Sequence, residues 1–111
     1  MPITKIMFIR AKSGYEEALG RLLGAMVLPS RADSGCIDYD LHRAISDPAL
    51  WFIYQSWRSE EGFNAYMKKP AIRACLRDAR HMVEANMNLH PFKMISQPMR
   101  RHFNDEDALA A

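Results

Sequence analysis

Residues 34–67 read SGCIDYDLHRAISDPALWFIYQSWRSEEGFNAYM. Over Cys36–Arg43 the pattern alternates, with Ile37, Tyr39 and Leu41 on one parity and Asp38, Asp40 and His42 on the other, the period of a half-buried strand. Ser46-Asp47-Pro48 is turn chemistry. Leu50–Trp57 (LWFIYQSW) is apolar on both parities for five residues before it admits Gln55 and Ser56, so this strand expects cover on both faces. Ser59 is placed to cap a helix whose positive end suits Glu60 and Glu61. Phe63, Tyr66 and Met67 are its inward residues. The stretch is therefore strand, turn, strand, helix.

Working outward from it, residues 3–11 (ITKIMFIRA) form another strand with Ile3, Ile6, Met7, Phe8 and Ile9 on both parities. Ser13 and Glu16 have capping-box spacing and open a helix. Its stripe is Leu19, Leu22, Leu23, Met26 and Val27. Pro29 loosens that helix, and Ser34-Gly35 ends the segment. On the other side, Pro70 starts a further helix at its first position, with Ile72, Cys75, Leu76, Ala79 and Val83 as the apolar stripe. A last strand spans residues 86–95, where Pro91 argues for a sheet edge. The sequence divides into a domain at 1–97 and a polar tail at 98–111, with Phe103 and Leu109 the tail's large apolar residues. The element order, βαββαβ, is that of an α+β ferredoxin-like fold with a four-stranded antiparallel sheet. Helices then cover one sheet face. Two strands apolar on both parities leave the other face greasy, and a second copy packed sheet to sheet is the simplest cover. A homodimer is expected.

Composition narrows the function classes. The 111 residues carry a net charge of +2, with 49% hydrophobic and 25% charged residues, values ordinary for one globular domain. So small a charge does not point to nucleic acid. Arg73, Arg77 and Arg80, interleaved with Asp78, read as a solvated helix face. No window approaches the roughly 18 apolar residues of a membrane span, and no signal-peptide cleavage site is evident. Cys36 and Cys75 lie far apart without a CxxC motif and read as reduced thiols of a cytoplasmic protein. The four histidines, His42, His81, His90 and His102, have no recurring spacing and indicate no metal site.

The run 30–57, SRADSGCIDYDLHRAISDPALWFIYQSW, followed by a capped helix, resembles the antibiotic biosynthesis monooxygenase family. The resemblance covers residues 3–95 and is strongest at Ser30-Arg31, Gly35-Cys36, Tyr39, Leu41-His42, Asp47-Pro48 and Trp57. It implies a dimeric α+β barrel. It also implies an oxidoreductase that needs no cofactor, metal or flavin. In such enzymes a deprotonated phenol, quinol or anthrone itself gives an electron to dioxygen, and the protein holds the anion and excludes water. An enzyme is thus the leading reading, with a small aromatic or polyketide-like substrate. A non-catalytic small-molecule binder on the same fold is the second, and haem binding or degradation the third.

Two positions depart from the family pattern. Gln55 stands where the family usually has Glu in its Y-E-x-W motif, and Tyr66 where it usually has His in the next helix. An amide does not titrate and a phenol's pKa is about 10, so this pair is poorly suited to moving protons near neutrality. The expectation is a neutral hydrogen bond between them. The candidate catalytic residues are Gln55, Tyr66, Trp57 and His42, with Tyr54 and Phe63 as further walls and Asn86 as a further polar contact.

Overall fold

The computed structural model describes residues 2–84 and 88–97. Chain order is β1 (Ile3–Arg10), α1 (Glu16–Ala25), α2 (Val27–Arg31), β2 (Cys36–Arg43), β3 (Leu50–Trp57), α3 (Glu60–Met67), α4 (Pro70–Ala79) and β4 (Asn88–Phe92). The four strands form one sheet in the order β2-β3-β1-β4, every pairing antiparallel. This is the expected ferredoxin-like α+β arrangement. Pro91 sits in β4, an edge strand, where its missing N–H costs no ladder bond on the outer side.

Register sorts the strand residues onto two faces. In the central pair, Lys5, Met7 and Ile9 of β1 lie beside Gln55, Ile53 and Trp51 of β3, and all six are buried under the helices. On the opposite face Ile6 pairs with Tyr54 and Phe8 with Phe52. Phe8 is 45% and Phe92 50% exposed. No helix among the described elements covers that face, the surface for which a second copy is expected.

The helical layer follows its stripe. Leu19, Leu23 and Met26 are buried, and Leu22 and Val27 pack against them. Trp51 fits beneath α1 because residue 20 is glycine: a Cβ there would come within 2.6 Å of the indole ring. The Ser59 hydroxyl accepts from the Gly62 N–H at 3.0 Å, the expected cap of α3.

Two local expectations need correction. Ser13 caps nothing: α1 begins at Glu16 without a side-chain cap, and the Glu16 carboxylate instead accepts from the Gly14 N–H at 2.9 Å. Gly14 has φ near +90°, and this left-handed turn carries Ser13 away from the helix axis. Pro29 loosens the helical run as expected: the run breaks at Met26 into α1 and α2, and Pro29 lies in the first turn of α2, where an N–H has no intrahelical partner. Ile37 is not on the core face with Tyr39. A register shift between Cys36 and Asp38 makes Ile37 the extra residue of a β-bulge, turning it outward and Cys36 inward. Asn86 and the 98–111 tail lie outside the described residues.

Candidate functional site

The bulge matters because it aims the next residues of β2. Past it, Tyr39 pairs with Gln55 of β3, and both point into the helical layer. Opposite them, α2 brings Ser30 (0% exposed) and α3 brings Tyr66, both buried. Ser30 follows Leu19, Leu23 and Met26 along the same helical stripe, so a hydroxyl occupies a core position. The Ser30 and Tyr66 hydroxyls are 2.5 Å apart and hydrogen-bonded, and the Tyr39 phenol lies close enough to both for each to influence its ionisation. Three hydroxyls thus meet inside the core.

These groups border a pocket between sheet and helices. Met7, Leu23, Met26, Ile53 and Ile72 supply its apolar walls, and Met67 and Leu76 stand at its outer rim. Gln55, Tyr39 and Tyr66 are its polar lining. The enclosed space is about 10 Å³, enough for about one water molecule. An aromatic ligand therefore needs the half-buried Met67 and Leu76 side chains to swing aside, a motion that unbranched, flexible methionine allows.

Gln55 is 2% exposed, and its orientation is set by chemistry. The Trp57 indole N–H, which only donates, donates to Gln55 Oε1 at 2.9 Å. The amide oxygen is thereby committed, and the NH₂ group, which finds no partner among the described residues, is the end presented to the pocket. Trp57 is wholly buried. Its ring lies 4.4 Å from that of Tyr66 and 5.7 Å, edge-on, from that of Phe63. Trp57 and Phe63 thus back the pocket lining without bordering the space themselves.

Among its described lining residues the pocket has no group that changes charge near neutrality. Burial pushes the Tyr66 phenol above its ordinary range, and the hydroxyls of Ser30 and Tyr39 only partly offset that effect. Burial likewise raises Tyr39, and the neighbouring Tyr66 phenol adds to the rise. Both remain protonated over the physiological range. Lys5, across the ladder from Gln55, is taken up by Glu60 at 3.0 Å and lies over the Phe63 ring.

The geometry brings together Gln55 and Tyr66 from the expected set, with Trp57 behind them. The direct Gln55–Tyr66 hydrogen bond is not made, because Trp57 occupies the amide oxygen and Ser30 the phenol. His42 is elsewhere: it is exposed on the open sheet face, its ring 4.9 Å from Phe52. Tyr54 lies on that same open face, paired with Ile6 and Asp40. Sequence reasoning named neither Ser30 nor Tyr39 among the candidate site residues. The available signal was the continuation of the α1 stripe to position 30. Among the described residues, no three His, Cys, Asp or Glu side chains converge on a possible metal position, and no helix is long and apolar enough to cross a membrane.

A ferredoxin-like sheet whose helical face encloses a small apolar pocket with a few polar groups defines a small α+β domain. The antibiotic biosynthesis monooxygenase model matches residues 2–78, and the chain belongs to that family. A crystal structure from Pseudomonas aeruginosa is 30% identical, covers 86% of this chain and 95% of its own, and superposes with a TM-score of 0.81. One from Mycobacterium tuberculosis, 19% identical over 89% of this chain and 100% of its own, gives 0.83. Among curated proteins, the M. tuberculosis "Heme oxygenase (mycobilin-producing)" is 24% identical over 95 residues, 86% of this chain and 90% of that one.

Proposed function

We propose that this protein is a cofactor-independent monooxygenase of a small aromatic quinol, phenol or anthrone, in which the pocket binds the substrate's oxyanion with neutral donors. The observation that carries this reading is the Gln55 amide, fixed by Trp57 so that its NH₂ faces an apolar, water-sized space beside two phenols that stay protonated. Donors held in place in a dry site stabilise developing negative charge better than water does, because they need no reorganisation. The deprotonated substrate gives an electron to dioxygen, and the resulting radical and superoxide combine at carbon. Loss of water from the hydroperoxide leaves a carbonyl, so CH₂ and O₂ become C=O and H₂O without an outside reductant. The chain's part is to orient the ring, hold the oxygen anion at Gln55 and Tyr39, and keep water out. The proton leaves the substrate to solvent, since no lining residue is a base near neutral pH.

The assembly in this proposal is a homodimer joined through the open sheet face. Its support is the uncovered apolar set Ile6, Phe8, Phe52 and Phe92.

A non-catalytic binder is the second reading, favoured by the absence of an acid–base group among the lining residues. Haem does not fit. The relatives named as haem oxygenases suggest it, but haem iron needs an axial ligand. The Tyr66 phenol is kept protonated and bonded to Ser30. The described histidines, His42, His81 and His90, are all exposed outside the pocket.

The test is oxygen uptake by the metal-free protein against a panel of quinols and anthrones, with spontaneous oxidation subtracted. Uptake that falls by about 100-fold in Gln55→Leu, the size of losing one oxyanion donor, supports the enzyme. Aromatic binding without uptake above the spontaneous rate refutes it in favour of the binder.

A further inference from the structure

Outside the pocket rim, Met67 and Leu76 also floor a second hollow, a groove of about 340 Å³ whose remaining lining is Arg73, Arg77 and Arg80. The two spaces share those two side chains and nothing else. A molecule entering between Met67 and Leu76 therefore has its inner end among Tyr39, Gln55 and Tyr66 and its outer end among three guanidinium groups.

The three arginines recur at i, i+4 and i+7 on α4. Like charges at that spacing oppose one another. The helix dipole accounts for Arg77 and Arg80 near the C-terminal end, but Arg73, in the fourth helical position, faces the positive end. Asp78, one residue from Arg77, is on a different face of the helix. Arg10, Arg31 and Arg43 each pair with a carboxylate at 3.0 Å or less. Among the described residues, none of the groove arginines has such a partner. A cluster of cations with no carboxylate partner among the described residues, lining a concave entrance, raises the local concentration of anions and offers several forked donors to one of them.

We infer that the substrate carries an anionic substituent, a carboxylate or a phosphate, which Arg73, Arg77 and Arg80 hold in the outer groove while the aromatic body occupies the inner pocket. This rests on the pocket reading given under the proposed function. The ligand class narrows accordingly, from any small phenol to an aromatic acid or aryl phosphate. Its anionic group lies on the far side of the ring system from the hydroxyl oxygen held at Gln55 and Tyr39. The arginines thus act as an anchor for register, and an uncharged ring would bind in several orientations.

The test compares 1-naphthol, 5-hydroxy-1-naphthoate and 5-hydroxy-1-naphthyl phosphate, whose hydroxyl and anionic groups lie at opposite ends of the ring system, by calorimetry on the full chain. The anionic probes are expected to bind at least tenfold tighter than 1-naphthol, about 1.4 kcal/mol, with an advantage that shrinks as salt rises. Arg73→Gln/Arg77→Gln removes most of that advantage and leaves 1-naphthol unchanged, which also shows that the variant is folded. Whichever anionic probe loses more identifies the head group. If 1-naphthol binds but charge adds nothing, or the arginine substitutions weaken all probes alike, the anchor is refuted while the pocket stands. If no probe binds, the pocket reading falls and the anchor falls with it.

Discussion

Replacing Trp57 with Phe removes one partner of the buried bond on which the site's orientation depends. The indole is wholly buried, donates to Gln55 Oε1 at 2.9 Å and packs on Tyr66 and Phe63. Phe leaves a gap of roughly 40 Å³, worth about 1 kcal/mol at about 24 cal/mol per Å³. It also strands a buried carbonyl oxygen, costing about 1–3 kcal/mol. The sum is about 3 kcal/mol, a large share of the about 5–15 kcal/mol that holds a domain of this size. Urea unfolding at fixed protein concentration reads it as a lower midpoint with an unchanged slope. The decisive comparison is a double-mutant cycle with Gln55→Leu, which removes the stranded oxygen. The Trp57→Phe/Gln55→Leu pair should be more stable than the two single losses added together, by about 1–2 kcal/mol. Additivity within about 0.5 kcal/mol would mean that the bond does not hold Gln55, and the reasoning about its free NH₂ would fail.

Three other outcomes follow from the same geometry. Tyr39 and Tyr66 have raised folded pKa values, so their contribution is complete below the unfolded value of about 10 and is lost as pH rises beyond it; their tyrosinate absorbance should appear only as the protein unfolds in alkali. Asp33 is held below the usual carboxylate range by Lys69 at 2.6 Å and by the Gly35 N–H, so its contribution is present above about pH 4 and fades as pH falls through the folded value. Asp33→Asn should cost about 0.5–1 kcal/mol at pH 7 and flatten the acid limb of a denaturation-midpoint curve. Phe52→Asp, placed at the centre of the open sheet face, should convert a sedimenting dimer to a monomer with unchanged far-UV circular dichroism, and a native chain that sediments as a monomer would refute the sheet-to-sheet assembly.

The strands and helices were legible because apolar periodicity reports burial directly: β1 and β3 are apolar on both parities, and each has one face under helices and one face bare. The bulge at Ile37 was not legible. Cys36, Ile37 and Tyr39 are all acceptable core residues, and only the ladder shows that one residue must be looped out. The same limit governs the site. Strand alternation separates Gln55 from Tyr54 correctly, because it is a property of one strand. It is silent about which residue of α2 faces which residue of α3, and so the Ser30–Tyr66 bond could not be read. His42 attracted attention as a family-matched histidine, but its parity with Asp38 and Asp40 already placed it on the face away from the helices. The Arg73, Arg77 and Arg80 row was visible as a helical stripe, while its junction with the pocket depends on Met67, which belongs to a different helix.

The most direct test of the account is the pH dependence of kcat/KM for oxygen uptake, taken with two substrates whose hydroxyl pKa values differ by about two units. Neutral donors that bind the substrate's anion predict a rate that rises to a plateau at each substrate's own pKa, so the inflection moves by those same two units. Gln55→Glu should add a second inflection belonging to the protein. An inflection near neutrality that stays fixed when the substrate is changed would show a titrating base in the native pocket, and would contradict the account.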